Sequence, residues 1–216
     1  MRAKNDIISQ LTNPGIIAVV RAKRAEQAMP IAEALIAGGV VAIEITMTTP
    51  DAIGAIRETS DKLGGRALIG VGTVLTADTC RAAIAVGAQF VVSPICRVEL
   101  VEITYTANRV LMLGAYTPTE AQRAHEVGAD FVKIFPADGL GTNYIKAIRA
   151  PLPHLRIVPT GGVELNNIAD FFKAGCPAVG VGGSLITKQI LETEDWPQLT
   201  RRAAEFVKAA KAARAA

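Results

Sequence analysis

The chain has 216 residues, half of them hydrophobic, which is enough to bury one sizeable core in a single domain. The charged fraction of 20% and the 19 non-periodic glycines exclude a disordered or collagen-like chain, and the longest uncharged stretches, residues 82–96 and 174–187, are too short to span a membrane as helices. The net charge of +3 is small, and the first ten residues lack the apolar core of a secretory signal, so we expect a cytoplasmic protein.

Short apolar segments alternate along the chain with longer amphipathic ones. After a short N-terminal helix, eight apolar segments have the composition of buried parallel strands. The predicted strands are residues 16–21, 41–46, 67–73, 90–93, 110–115, 131–135, 156–159 and 178–181. Helical patterns separate them, for example at residues 26–37, 50–63, 118–127 and 166–174.

This alternation predicts an α/β protein whose residues 1–216 form a single (β/α)8 barrel, also called a TIM barrel. Alternating strands and helices favour a parallel sheet covered by helices, and eight such units within about 200 residues fit a closed barrel. An open, doubly wound sheet usually has fewer strands and is the alternative fold.

The last segment of the chain carries the excess of positive charge. Residues 199–216 contain five basic side chains and one acidic side chain, Glu205. Apolar residues recur on one helical face at Leu199, Ala203, Phe206, Val207 and Ala210. We therefore expect a basic amphipathic helix rather than a nucleic-acid-binding tail, and neither a nucleic acid nor a membrane as partner.

A faint repeat sets the register of the even-numbered strands. A glycine followed by another small residue ends the helix before each of them, as a left-handed helix cap requires. Counting five residues on from Gly39, Gly87, Gly128 and Gly175 gives Glu44, Val92, Lys133 and Gly180. If the four units are equivalent, these residues share one layer of the barrel interior, which then contains an acid and an amine.

Lys133 is the most unusual residue, because it interrupts the otherwise apolar segment at residues 131–135. Alternation places Phe131, Lys133 and Phe135 on one face of the strand. Burial disfavours the charged form of a lysine, and a neutral amine is the nucleophile that Schiff-base chemistry requires. A structural lysine paired with a carboxylate is an equally open interpretation of this segment alone.

Glu44 is likewise a charged residue within an apolar strand, the second, where it lies between two isoleucines. A desolvated carboxylate is suited to general acid–base catalysis near neutral pH. A buried ion pair with Lys133 or Arg21 is the alternative. Two opposite charges in one predicted layer favour an active site.

Two glycine-rich segments follow the last two strands. Gly161 and Gly162 come after the seventh strand, and Gly182, Gly183 and Ser184 come after the eighth. Loops in these positions of a barrel commonly bind phosphate through backbone N–H groups. The pair of motifs therefore predicts a phosphate site.

Other polar residues and a proline end strands at the same rim. Arg21 ends the first strand, Thr73 the third, and Pro94 follows the fourth. An arginine there can bind a carboxylate through two hydrogen bonds. Turn or capping roles for Thr73 and Pro94 remain open.

The sequence favours neither a metal centre nor a disulfide framework. The three cysteines, Cys80, Cys96 and Cys176, lie far apart and lack a C-x-x-C spacing, and there are only two histidines. We expect no metal and no cofactor.

Taken together, these motifs resemble the 2-keto-3-deoxy-6-phosphogluconate (KDPG) / 4-hydroxy-2-oxoglutarate aldolases over residues 16–186. The motifs are residues 44–46 (EIT), 72–74 (GTV), 93–94 (SP), 133–137 (KIFPA), 159–162 (PTGG) and 182–184 (GGS). The resemblance implies a metal-free class I aldolase on a (β/α)8 barrel, usually a homotrimer, whose partners are a 2-keto acid and an aldehyde phosphate.

The same resemblance implies a role for each site residue. Lys133 forms the Schiff base with pyruvate and Glu44 moves protons. Thr73 and an arginine hold the pyruvate carboxylate, and Pro94 and Phe135 line the pocket. Gly162, Gly183 and Ser184 bind the phosphate, alongside Gly161 and Gly182 of the same two segments.

The chain departs from the family pattern at two places that bear on substrate choice. Thr48 occupies the position of an arginine that several members carry, and we expect Arg21 to replace it as the carboxylate ligand. Residues 113–115 read Leu-Gly-Ala, where many members have Pro-Gly. The galactonate-derived isomer therefore remains an alternative substrate, and a phosphate-binding isomerase, an epimerase or a non-catalytic phosphosugar-binding barrel remains an alternative function.

Overall fold

Eight parallel strands form a barrel in the computed structural model, which describes residues 2–215. They are β1 (Ile16–Val20), β2 (Ala42–Thr46), β3 (Leu68–Gly72), β4 (Phe90–Val92), β5 (Val110–Ala115), β6 (Phe131–Ile134), β7 (Ile157–Pro159) and β8 (Val179–Val181). All eight predicted strands are confirmed, with ends that differ by one residue at most.

The strand order closes the sheet on itself. Hydrogen-bonded neighbours run β7-β6-β5-β4-β3-β2-β1-β8, and a parallel bridge between Thr160 and Gly180 joins the two ends. The predicted (β/α)8 barrel is therefore confirmed and the open doubly wound sheet is excluded.

Helices cover the outside of the barrel. They are α1 (Lys4–Thr12), α2 (Ala28–Ala37), α3 (Ala52–Leu63), α4 (Ala77–Ala85), α5 (Leu100–Thr106), α6 (Pro118–Glu126), α7 (Gly141–Arg149), α8 (Ile168–Lys173), α9 (Lys188–Thr193) and α10 (Trp196–Ala215). Among the residues described, no helix is both long enough and apolar enough to cross a membrane.

Local signals in the sequence explain where these helices begin and end. The Thr117 hydroxyl accepts a hydrogen bond from the Glu120 N–H, and the Glu120 carboxylate accepts one from the Thr117 N–H, which together form a capping box at the start of α6. The predicted cap glycines all have positive φ, for example 88° at Gly39 and 103° at Gly128. The apolar face predicted for α10 is buried against the barrel's other helices.

The barrel has two cores that share its strands. Outward-facing side chains pack under the helices, and inward-facing ones fill the barrel with residues such as Phe90, Met112 and Phe131. Ile7 and Leu11 of α1 belong to this inner core. Helix α1 therefore closes the N-terminal end of the barrel and leaves the carboxyl ends of the strands as its mouth.

The three cysteines are free thiols. Burial raises the pKa of the Cys80 thiol to about 11 and that of Cys176 to about 12. Both remain protonated at neutral pH and pack as small apolar side chains, which agrees with the prediction that the cysteines form no disulfide.

Candidate active site

Lys133 and Glu44 meet inside the barrel, near its mouth. Strands β2 and β6 lie on opposite sides of the barrel, and their side chains meet with Lys133 Nζ 3.8 Å from Glu44 Oε1. Only 5% of the Lys133 side chain and 3% of the Glu44 side chain are exposed. The sequence-derived register is correct, since Val92 faces the same interior and Gly180 lines its opening.

The contact between the two charged groups is looser than a structural salt bridge. A separation of 3.8 Å is too long for a hydrogen bond, and Glu44 Oε1 is buried without a hydrogen-bond partner. A buried ion pair that only stabilised the fold would need close geometry and further hydrogen bonds to offset desolvation. The pair is instead arranged so that a substrate or a water molecule can complete it.

Two glycines on neighbouring strands make room for these side chains. A Cβ atom on Gly72 would overlap the Glu44 carboxylate, so a larger residue at the end of β3 would displace that side chain. Gly114 is the β5 neighbour of Lys133, and a Cβ there would overlap the backbone of Pro94. Gly114 thus lets the loop after β4 fold close to Lys133.

An aromatic ring lies beside the amine. Lys133 Nζ lies 5.2 Å from the centre of the Phe135 ring, a cation–π distance for a charged lysine. Phe135 also lines the cavity described next, so the same ring borders both the amine and that cavity.

The two glycine-rich segments line one cavity of about 210 Å³ at the mouth, next to β7 and β8. It is smaller than the roughly 300–1,000 Å³ of pockets for drug-sized ligands, and it suits one end of a small substrate. The segments themselves are residues 161–164 and 182–184. All five predicted phosphate-site residues, Gly161, Gly162, Gly182, Gly183 and Ser184, are therefore brought together.

Several backbone N–H groups at this cavity are available to a ligand. Within residues 2–215, the N–H groups of Gly162, Val163, Gly183 and Ser184 donate no hydrogen bond to the protein. Asn167 Nδ2 donates to the Gly162 carbonyl, and the Ser184 hydroxyl donates to the Val163 carbonyl. The carbonyls are thus held by the protein, and the N–H groups without an acceptor are the kind of donor that binds anions.

Arg21 extends into the same cavity from the end of β1. Its Nη1 atom lies beside Gly182, 3.4 Å from the point that a Cβ there would occupy. In the described part of the chain it makes no ion pair, with Glu44 or any other carboxylate. A structural pairing of Arg21 with Glu44 is therefore absent, and the guanidinium is available to an anion.

Thr73 and Pro94 lie on the other side of the mouth, after β3 and β4. Thr73 has a φ of 60°, an unfavourable conformation for a β-branched residue, and it directly follows Gly72 beneath the Glu44 carboxylate. Pro94 lies against Gly114 and so beside Lys133. The predicted site residues thus line the mouth on two sides, with the amine between them.

Three features of the site were not predicted from the sequence. Thr160 is 4% exposed, lines the cavity and lies against Gly180, although its residue type gave no signal beyond its place in the PTGG motif. The importance of Gly72 and Gly114 was not predicted, because the Glu44 side chain and the Pro94 backbone that fill the space beside them come from distant segments of the chain.

Replacing Gly72 by alanine should displace Glu44 and lower turnover, because the new methyl group occupies the position of the carboxylate. We expect a loss of about 10²-fold or more in kcat, the lower end of what general acid–base catalysis contributes. Gly65→Ala is the matched control, since a Cβ on Gly65 meets nothing. Full activity of Gly72→Ala would show that the position of Glu44 is unimportant.

Comparison with known proteins agrees with this geometry. Residues 7–202 match the family model of the KDPG and KHG aldolases. A 2-dehydro-3-deoxy-phosphogluconate aldolase of Pseudomonas aeruginosa is 38% identical over 192 residues, which cover 88% of this chain and 86% of the relative. A probable 2-dehydro-3-deoxy-6-phosphogalactonate aldolase of Rhizobium meliloti is 39% identical over 79% of this chain and 81% of its own.

A solved structure gives the same result. The KDPG aldolase of Legionella pneumophila, captured with pyruvate as a covalent carbinolamine intermediate, superimposes with a TM-score of 0.84 at 29% identity, covering 91% of this chain and 96% of that one. The barrel, the buried amine and the extent of the family match lead to one conclusion: the chain belongs to the KDPG and KHG aldolase family.

Proposed function

We propose that the protein is a class I aldolase that cleaves 2-keto-3-deoxy-6-phosphogluconate to pyruvate and glyceraldehyde 3-phosphate, and that it also cleaves 4-hydroxy-2-oxoglutarate to pyruvate and glyoxylate. The observation that carries this proposal is the nearly buried Lys133 amine, 3.8 Å from a carboxylate oxygen that lacks a hydrogen bond. A protein that only bound phosphosugars, or an isomerase, would have no use for a buried nucleophilic amine.

The reaction begins with attack of Lys133 Nζ on the C2 ketone of the substrate. Loss of the carbinolamine oxygen as water gives an iminium, which accepts the electron pair of the C3–C4 bond. The C4 hydroxyl loses its proton to Glu44, directly or through a water, and the aldehyde departs. The remaining enamine is protonated at C3, and hydrolysis releases pyruvate and the free amine.

The arrangement of the mouth orients the substrate across the barrel. A carboxylate beside C2 lies close to the amine, where Thr73 and Pro94 border it, and the phosphate on C6 extends to the glycine-lined cavity. Arg21 enters that cavity from β1, between β2 and β8 in the sheet. We expect Arg21 to bind the substrate carboxylate, the role of the family arginine whose position Thr48 occupies here. The substrate phosphate is the second candidate partner of Arg21.

A galactonate-derived isomer of the substrate is the second candidate function. The Rhizobium meliloti relative, a probable aldolase for that isomer, is about as similar to this chain as the Pseudomonas aeruginosa phosphogluconate aldolase, at 39% and 38% identity. Both isomers share the pyruvoyl half and the phosphate, so Lys133 and the glycine-rich loops serve either.

Lys133→Ala should abolish pyruvate release from all three substrates, because Schiff-base chemistry needs an amine and Lys133 is the only buried lysine among residues 2–215. Pyruvate release is measured for the phosphogluconate, phosphogalactonate and hydroxyoxoglutarate substrates in parallel. Lys146→Ala removes an exposed lysine of α7 and is the matched control. Residual cleavage by the folded Lys133→Ala protein above the uncatalysed rate would disprove the Schiff-base assignment.

Glu44→Gln should allow the covalent intermediate to form but slow turnover by about 10²–10⁴-fold, since the amide cannot accept the C4 hydroxyl proton. The measurement is kcat under saturating substrate, with Glu33→Gln on the exposed face of α2 as control. Turnover equal to that of the wild type would return Glu44 to a structural role.

Arg21→Ala and Ser184→Ala should separate the two anion sites. Loss of a charge-assisted hydrogen bond from Arg21 to the carboxylate raises the half-saturating pyruvate concentration by about ten- to a hundredfold and affects every 2-keto acid. Ser184→Ala mainly raises KM for phosphorylated substrates. An Arg21→Ala protein that loses affinity only for phosphorylated substrates would move Arg21 to the phosphate.

A closed homotrimer is the proposed assembly. Among residues 2–215, the exposed large apolar side chains all follow or adjoin three consecutive strands, β3 to β5. They are Leu75, Ile95, Val98, Tyr105 and Tyr116. An apolar patch on one side of the barrel suits a heterologous interface that closes into a ring. Light scattering should give the mass of three chains, and Tyr105→Glu should lower it. A monomeric wild type at micromolar concentration would contradict the proposal.

A further inference from the structure

The C-terminal helix contacts the glycine-rich loop after β8 from behind. Arg202 of α10 donates a hydrogen bond from Nη2 to the Ser184 carbonyl. The same side chain, together with Glu164 and Ser184, lines a second cavity of about 400 Å³ outside the loop. A residue of the last helix is therefore in direct contact with the backbone that borders the proposed phosphate site.

The charge of Arg202 is not used elsewhere in the described part of the chain. It forms no ion pair within residues 2–215, and its Nε atom is buried without a hydrogen-bond partner. Arg202 lies in the N-terminal half of α10, where the helix dipole does not favour a cation. The sequence predicts that the basic residues of this segment suit the helix C-terminus, and that reason does not apply to Arg202. The exposed carboxylate of Glu164, which borders both cavities, adds negative charge near the loop.

Three carbonyls of the loops are held on the protein side by side-chain donors. Asn167 binds the Gly162 carbonyl, Ser184 binds the Val163 carbonyl, and Arg202 binds the Ser184 carbonyl. Of these donors, Arg202 alone is charged. A guanidinium in this half-buried place both fixes the turn and attracts an anion, with less screening by solvent than a fully exposed charge has.

We propose that Arg202 is a positioning residue for phosphate recognition: it holds the Ser184 turn so that the N–H groups of Gly183 and Ser184 face the cavity, and it supplies positive charge from behind the loop. This inference rests on the proposed function. It predicts that the last helix, which touches none of the reacting atoms, selects phosphorylated over unphosphorylated substrates.

The test compares Arg202→Ala with Arg201→Ala. Arg201 is the adjacent residue of the same helix, exposed and without a hydrogen bond in the described chain. For Arg202→Ala we expect KM for 2-keto-3-deoxy-6-phosphogluconate to rise about tenfold with kcat unchanged, the pattern produced by losing binding that ground state and transition state share. Inhibition by inorganic phosphate should weaken by a similar factor. Cleavage of 4-hydroxy-2-oxoglutarate should not change.

Two controls distinguish the proposed role from a purely structural effect: the Arg202→Lys variant and the melting temperature of each variant. The lysine variant keeps the charge and should recover part of the affinity for the phosphorylated substrate, although it lacks the planar fork. The inference is wrong if KM changes equally for both substrates, or if the changes in KM among the variants parallel the changes in melting temperature. It is also wrong if Arg202→Ala behaves like Arg201→Ala. A wild type that does not favour the phosphorylated substrate would instead overturn the proposed phosphate site, and with it this inference.

Discussion

The structure depends on burying an amine and a carboxylate together in a barrel that is otherwise filled with apolar side chains. Neither group could be placed there alone without a large desolvation cost. At 3.8 Å the two attract each other, yet they are not hydrogen-bonded, and the carboxylate oxygen that faces the amine accepts no hydrogen bond. The site therefore keeps unused binding capacity, which a substrate bearing a ketone and a hydroxyl can take up.

The rest of the barrel is shaped around that pair. Helix α1 closes the opposite end, so the amine is accessible from the mouth only. Gly72 provides the space for Glu44, and Gly114 allows the loop after β4 to approach Lys133. The glycine-rich loops after β7 and β8 line the neighbouring cavity with backbone N–H groups, and Arg21 adds a guanidinium there. This combination of donors suits a substrate with a phosphate at its far end.

The fold and the reacting pair were predictable from the sequence because both depend on local patterns. Each strand is a short apolar segment that ends at polar residues, glycine or proline. Each cap glycine marks a position where the backbone has the left-handed conformation that glycine adopts most easily. Counting from those glycines places Lys133 and Glu44 on the inner face without any knowledge of distant contacts. The buried charges were then visible as exceptions within apolar segments.

The remaining parts of the site depend on packing between segments far apart in the chain. The sequence shows that residue 72 is glycine but not that the Glu44 carboxylate fills the space beside it. It shows five basic residues in the last segment but not that Arg202 contacts the loop after β8. Likewise, the position of Arg21 beside Gly182 follows from the β1–β8 neighbourhood that forms only when the barrel closes.

Chemical trapping of the covalent intermediate tests the central claim most directly. The protein is reduced with borohydride in the presence of pyruvate, digested, and mapped by peptide mass. We predict one reduced pyruvate adduct per chain, located on the peptide that contains Lys133. Adducts on an exposed lysine such as Lys146 or Lys188, or an unmodified protein after reduction, would contradict the assignment of Lys133 as the nucleophile.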